Sequence, residues 1–222
     1  MFAGKIFGVG LNKTGTSSLA AATQMLGYET MHNVVKPDVT GLVIRAAVER
    51  ALDADQPPFH DLPELDAFDA FFDVRMVERH FEAFDRHYPG SRFILHHRDL
   101  ASWLDSREAH VRRNIAKNLA GGSEKWVTVD RDHWTELWHD QQRRVRAHFA
   151  DRPDHLLEID VVAGQGWETL APFLGSEAPD GPFPRTNVGT NPPGATRSAL
   201  NTTRTNIRRV VRRANRLLTP TD

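Results

Sequence analysis

Residues 5–19 read KIFGVGLNKTGTSSL, and the fold is read outward from them. Lys5–Val9 is a short β-branched and aromatic run ending at Gly10, which predicts a strand. Residues 19–26 (LAAATQML) are helix formers closed by Gly27, the residue a helix C-terminus favours. Strand, polar glycine-containing loop and helix, in that order, open a βαβ unit. A helix start presents N–H groups without intrahelical acceptors and a partial positive charge, and a glycine loop before it can curl those groups around an anion. Lys13 adds a point charge, while Thr14, Thr16, Ser17 and Ser18 add hydroxyls. Capping alone needs one hydroxyl, so the loop reads as a cradle for phosphate or sulfate. Only five of 28 cationic residues are Lys, which sets Lys13 apart.

Gly41–Leu52 reads as a helix broken at Gln56-Pro57-Pro58. Ala67–Asp73 (AFDAFFD) predicts a second strand. Val74–Tyr88 carries apolar residues at Val74, Val77, Phe81 and Phe84, a helical stripe stopped by Pro89-Gly90. Ser91–His96 predicts a third, buried strand. Asp99 is placed to cap a helix over Leu100–Leu119, ended by Gly121-Gly122. A further helix falls within Trp126–Ala150, a fourth strand at Leu156–Ile159 and a short helix at Trp167–Leu174. The Pro-rich stretch Gly175–Gly194 is loop. Alternating strands and helices imply an α/β fold, a P-loop-like three-layer sandwich with a parallel sheet flanked by helices.

Composition narrows the chemistry. At 222 residues the chain suits one large domain or a domain with a tail. With no Cys, thiol catalysis, iron–sulfur clusters and thiolate zinc sites are excluded. No apolar run approaches a membrane span, and the N-terminus has no separate apolar core or cleavage site, so the expected location is cytoplasmic. No HxxxH or HExxH spacing appears, and no metal is expected. Charge is uneven: residues 197–222 hold seven Arg and one Asp, a net +6 that leaves −7 on residues 1–196. That balance speaks against nucleic-acid binding by the body. The expected division is therefore a domain over 1–196 and a basic tail over 197–222. Within the tail, Ile207–Leu218 reads as an Arg-rich amphipathic helix that docks on the acidic body, touches anionic lipid at the inner membrane face or meets an acidic partner.

The loop is not a Walker A sequence. That pattern puts Lys directly after the second glycine, whereas here Thr16 follows Gly15 and Lys13 precedes it. Instead KTGTSSL (13–19) resembles the 5′-phosphosulfate-binding loop of the sulfotransferases that use 3′-phosphoadenosine-5′-phosphosulfate (PAPS). A second match, RDLASWLDS (98–106), is similar to their 3′-phosphate motif, an Arg at a strand end with a Ser eight residues on. Further similarity runs through HYPGSRFILHHRD, LLEIDVVAGQGWETLAPFLG and PFPRTN, covering roughly residues 4–188.

The resemblance implies that Lys13 contacts the bridging oxygen and 5′-phosphate, and that Gly15, Thr16, Ser17 and Ser18, with Thr14 beside them, supply donors. It implies Arg98 and Ser106 on the 3′-phosphate, with Arg185 as a further basic candidate. Adenine recognition is unassigned. For the acceptor's proton, Asp73 at the end of AFDAFFD is the best-placed carboxylate, with helix capping at Val74 as its competing role; His32, His60, Asp61 and His97 are rivals. Trp103, Trp134 and Trp138 read first as packing. The expected activity moves a sulfuryl group from PAPS to a hydroxyl or amine of a small molecule, sugar or lipid. A P-loop nucleotide kinase and a non-catalytic nucleotide-binding module are the alternatives.

Overall fold

The computed structural model describes residues 4–32, 39–119 and 128–186. The expected tail over 197–222, its helix at Ile207–Leu218, Gly121-Gly122 and Trp126 lie outside the described residues. Among the described residues five parallel strands form the sheet: β1 (Ile6–Gly8), β2 (Thr30–His32), β3 (Ala70–Phe72), β4 (Arg92–His96) and β5 (Leu156–Ile159), in the order β2-β3-β1-β4-β5. The helices are α1 (Thr16–Met25), α2 (Val39–Asp53), α3 (Pro63–Asp66), α4 (Arg75–His87), α5 (Leu100–Leu119), α6 (Arg131–His148) and α7 (Trp167–Phe173).

Strand alternation sorts the core into two layers. Phe7, Val9, Phe71, Phe93 and Leu95 point to the side covered by α2, α4 and the end of α6, where they meet Val48, Phe81, Phe84, Val145 and Phe149. Ile6, Ala70, Phe72 and Ile94 point to the other side, against Leu19 and Ala22 of α1 and Leu170 of α7. The helix after β1 therefore lies on one face, and the α5–α6 pair after β4 returns its second helix to the opposite face. That divergence puts the topological switch point of the sheet at the carboxyl ends of β1 and β4, where open parallel sheets bind ligands.

Several boundaries differ from expectation for local reasons. β2 has no counterpart in the sequence reading: it is a three-residue edge strand, too short for alternation to register. The second strand is trimmed to Ala70–Phe72, because α3, with Pro63 in its first turn, is followed by a turn through Phe68. α1 starts earlier than the apolar run, at Thr16, with Gly15 as its N-cap. α6 starts later than Trp126, where Asp130 accepts a bond from the His133 N–H at 3.0 Å. Among the described residues no helix is long and apolar enough to cross a membrane.

Candidate active site

The loop from Gly10 to Gly15 is pinned from behind. Gln141 Nε2 of α6, itself buried, donates to the Val9 carbonyl at 2.7 Å. Trp103 Nε1 of α5 donates to the Asn12 carbonyl at 2.8 Å, and Thr14 Oγ1 donates to the Leu11 carbonyl at 2.5 Å. Arg107, its guanidinium 5.1 Å from the Trp103 ring and 4.9 Å from the Trp134 ring, reaches Asn12 Oδ1 at 3.3 Å. With the carbonyls turned inward, the N–H groups of Lys13, Thr14, Gly15 and Thr16 meet no protein acceptor among the described residues. Lys13 and Gly15 both sit at positive φ, 68° and 90°. Gly10 is forced by proximity, since a Cβ there would lie 1.8 Å from the His96 carbonyl oxygen.

The four hydroxyls are not equivalent. Thr14 is 1% exposed and spends its hydroxyl inside the loop, so toward a ligand it offers only its N–H. Ser18 Oγ accepts from the Thr186 N–H at 3.1 Å, which ties the 183–186 segment to α1. Thr16 and Ser17 stand beside His32 Nε2 at 3.2 and 3.4 Å. No side chain caps α1, so Gly15 leaves the helix start to its backbone donors.

Arg98 follows β4, and its Nε donates to Ser102 Oγ at 2.6 Å. Asp99 caps α5 through the Ser102 N–H at 2.9 Å. Ser106 lies one turn further along α5, partly buried, on the side of the helix that holds Ser102. Arg185 is exposed and lies over the turn after β5, 3.9 Å from where a Cβ of Gly164 would be. Lys13 feels Arg98 and a further cation: burial holds its pKa below the usual lysine range, assisted by Arg113 and Arg98 and opposed by Asp73.

Asp73 leaves β3 in a left-handed turn, φ 56°, a region Asp enters more readily than most residues. The N-cap of α4 is Val74 and no side chain caps it, so Asp73 does not serve as the helix cap. Burial pushes its carboxyl up to about 6, against the pull of Lys13 and Arg75. Glu78, in the first turn of α4, is held higher, at about 8, by burial and then by the Asp73 charge, against Arg75, Arg107 and Arg79. Asp73 thus ionises first, and its charge helps keep the proton on Glu78. The sequence reading passed over Glu78, whose only signal is its place one turn into a helix that begins at a candidate base. It also passed over Gln141 and Arg107, whose roles depend on helices that meet the loop only in three dimensions.

The rival bases separate. His60 is exposed, and Asp61 pairs loosely with Arg50 at 4.0 Å. His97 sits just past β4, where its N–H bonds to the Ile159 carbonyl at 3.0 Å. His32 reaches the loop, but burial lowers its pKa to about 4, which makes it a weak base. Trp103 and Trp134 pack the α5–α6 contact, with Trp138 at its edge. Among the described residues, no three His, Asp or Glu side chains gather as a metal site requires.

A family model described as the sulfotransferase domain matches residues 5–126 and 113–191. No curated protein matches the chain. The family match spans all five strands, the glycine loop and the strand end bearing Arg98. The chain belongs to the sulfotransferase-domain family, and its chemistry is the transfer of sulfuryl groups.

Proposed function

We propose that the protein takes its sulfuryl group from PAPS and passes it to a hydroxyl or amine by in-line displacement, releasing adenosine 3′,5′-bisphosphate. One observation carries the reading: the N–H groups of residues 13–16 meet no protein acceptor among the described residues, and Lys13 beside them lies within electrostatic reach of both Arg98 and Asp73. Backbone donors of residues 13–16 and the Lys13 ammonium suit the 5′-phosphosulfate, while Arg98, Ser106 and Arg185 suit the 3′-phosphate.

In the transfer the acceptor oxygen or nitrogen bonds to sulfur as the bond from sulfur to the bridging oxygen breaks. Lys13 neutralises the charge that develops on that oxygen. Asp73 receives the acceptor's proton; a carboxylate raised to about 6 is a stronger base than an ordinary one and is still ionised at neutral pH. Lys13 and Asp73 are thus the proposed catalytic pair, with no metal ion assigned a role. The test is incubation with PAPS labelled in its sulfuryl group and a metabolite extract. Label in a new acceptor, lost in Lys13→Ala, supports the reading; tight Mg²⁺-dependent ATP binding without sulfuryl transfer refutes it.

A further inference from the structure

His96 is the last residue of β4 and is fully buried, directly beneath the loop. Its Nδ1 lies 2.7 Å from Thr14 Oγ1, and that oxygen lies 2.5 Å from the Leu11 carbonyl. The hydroxyl has one proton, and a carbonyl can only accept, so the proton goes to Leu11. Thr14 Oγ1 must then accept from His96, which places the ring proton on Nδ1. The other ring nitrogen, Nε2, is buried and meets no hydrogen-bond partner among the described residues, as a bare lone pair in the neutral Nδ1–H tautomer would be. The backbone is equally tight: both Gly8 and Gly10 press against His96, at 3.0 Å from Nε2 and 1.8 Å from its carbonyl oxygen for an added Cβ.

We propose that His96 is a positioning residue for sulfuryl transfer: its Nδ1–H fixes the Thr14 hydroxyl, which holds the Leu11 carbonyl inward and so keeps the N–H groups of residues 13–16 facing the donor. The proposal rests on the reading of this loop as the donor site. The relay runs from the end of β4 to the loop after β1, coupling the strand that carries Arg98 to the loop that carries Lys13. Burial holds the ring neutral, with its pKa down to about 3, so the relay keeps one hydrogen-bond direction across the working pH range.

The test has two arms. In the first, nitrogen-detected magnetic resonance of the labelled full chain reads the His96 tautomer; Nδ1–H, unchanged from pH 5 to 8, is expected, and Nε2–H overturns the relay. In the second, adenosine 3′,5′-bisphosphate is titrated calorimetrically well below the melting temperature of each variant. His96→Leu and Thr14→Val should each weaken binding about ten-fold, the scale of one lost hydrogen bond. The double variant should be no worse than either single one, and His96→Asn, whose amide N–H takes the place of Nδ1–H, should restore binding. A His96 that serves only packing would lower the melting temperature and leave affinity unchanged, which overturns the proposal. If His96→Leu fails to fold, Thr14→Val against wild type decides the matter in the same way. Wild-type protein that binds no bisphosphate overturns the donor-site reading and this role with it; wild-type binding with an indifferent His96→Leu overturns only the role of His96.

Discussion

Glu78→Gln should stabilise the protein, and by an amount that grows with pH. Glutamine mimics the protonated side chain, so the variant removes a proton equilibrium while keeping shape. In the folded protein the Glu78 carboxyl is held up at about 8, against an ordinary 4.5. Below about pH 4.5 the folded and unfolded chains both hold the proton, and wild type and variant should match. Above that, the unfolded chain releases a proton that the fold retains, so Glu78 lowers wild-type stability relative to the variant by about 1.4 kcal/mol per pH unit until the effect levels off near pH 8. The whole interval sets a ceiling of about 5 kcal/mol, a sizeable part of a domain's total stability. Asp73 adds a loss of the same sign, but its pKa of about 6 ends that contribution earlier. Between pH 6 and 8 the stability difference between the two proteins therefore isolates Glu78 and should widen by up to about 3 kcal/mol, because the contributions of His32 and His96, whose pKa values burial lowers, are common to both. Urea unfolding at half-unit steps from pH 5 to 9 reads this directly. Parallel stability curves for the two proteins between pH 6 and 8 would refute a proton held on Glu78.

Lys13→Ala should lose most transfer activity, measured with labelled donor, because the leaving oxygen loses the ammonium that would neutralise it. Arg98→Ala should weaken bisphosphate binding by roughly 1.5–3 kcal/mol in calorimetric titration, the value of charge-assisted bonds; unchanged affinity would remove Arg98 from the site. Asp73→Asn should abolish turnover without weakening bisphosphate binding, and wild-type kcat/KM should climb with pH to a plateau above about 6 as Asp73 ionises. Turnover of Asp73→Asn within a few-fold of wild type would pass the role to another group. Gly15→Ala should cost roughly 1–2 kcal/mol for its left-handed backbone alone. It adds a clash, since the new Cβ would sit 2.2 Å from Val161 Cγ2. In thermal melts, Val161→Ala should relieve the second part and leave the first.

The sequence disclosed what local pattern encodes. The glycine loop, the buried β4 run and the Leu100–Leu119 helix were legible because their periodicity, caps and breakers lie within a few residues of one another. β2 escaped because an edge strand of three residues has no period to show. The site divides along the same line. Lys13, Arg98 and Asp73 stand beside strand ends, which a reading of strand–loop–helix order locates. Glu78, Arg107, Gln141 and His96 act through partners 5 to 132 residues away in the chain, and only packing brings them together. The hydroxyl count misled in one respect: Thr14 resembles its neighbours in sequence, but burial turns its side chain into part of the frame.

The pinning of the loop by Trp103 and Gln141 has a consequence for redesign. The α5–α6 pair supplies two of the donors that shape the glycine loop. It is therefore not an interchangeable cassette. A helix pair transplanted from another domain would have to bring an indole and a carboxamide to the same two carbonyls, or the Val9 and Asn12 oxygens would be left stranded and the loop free to rotate.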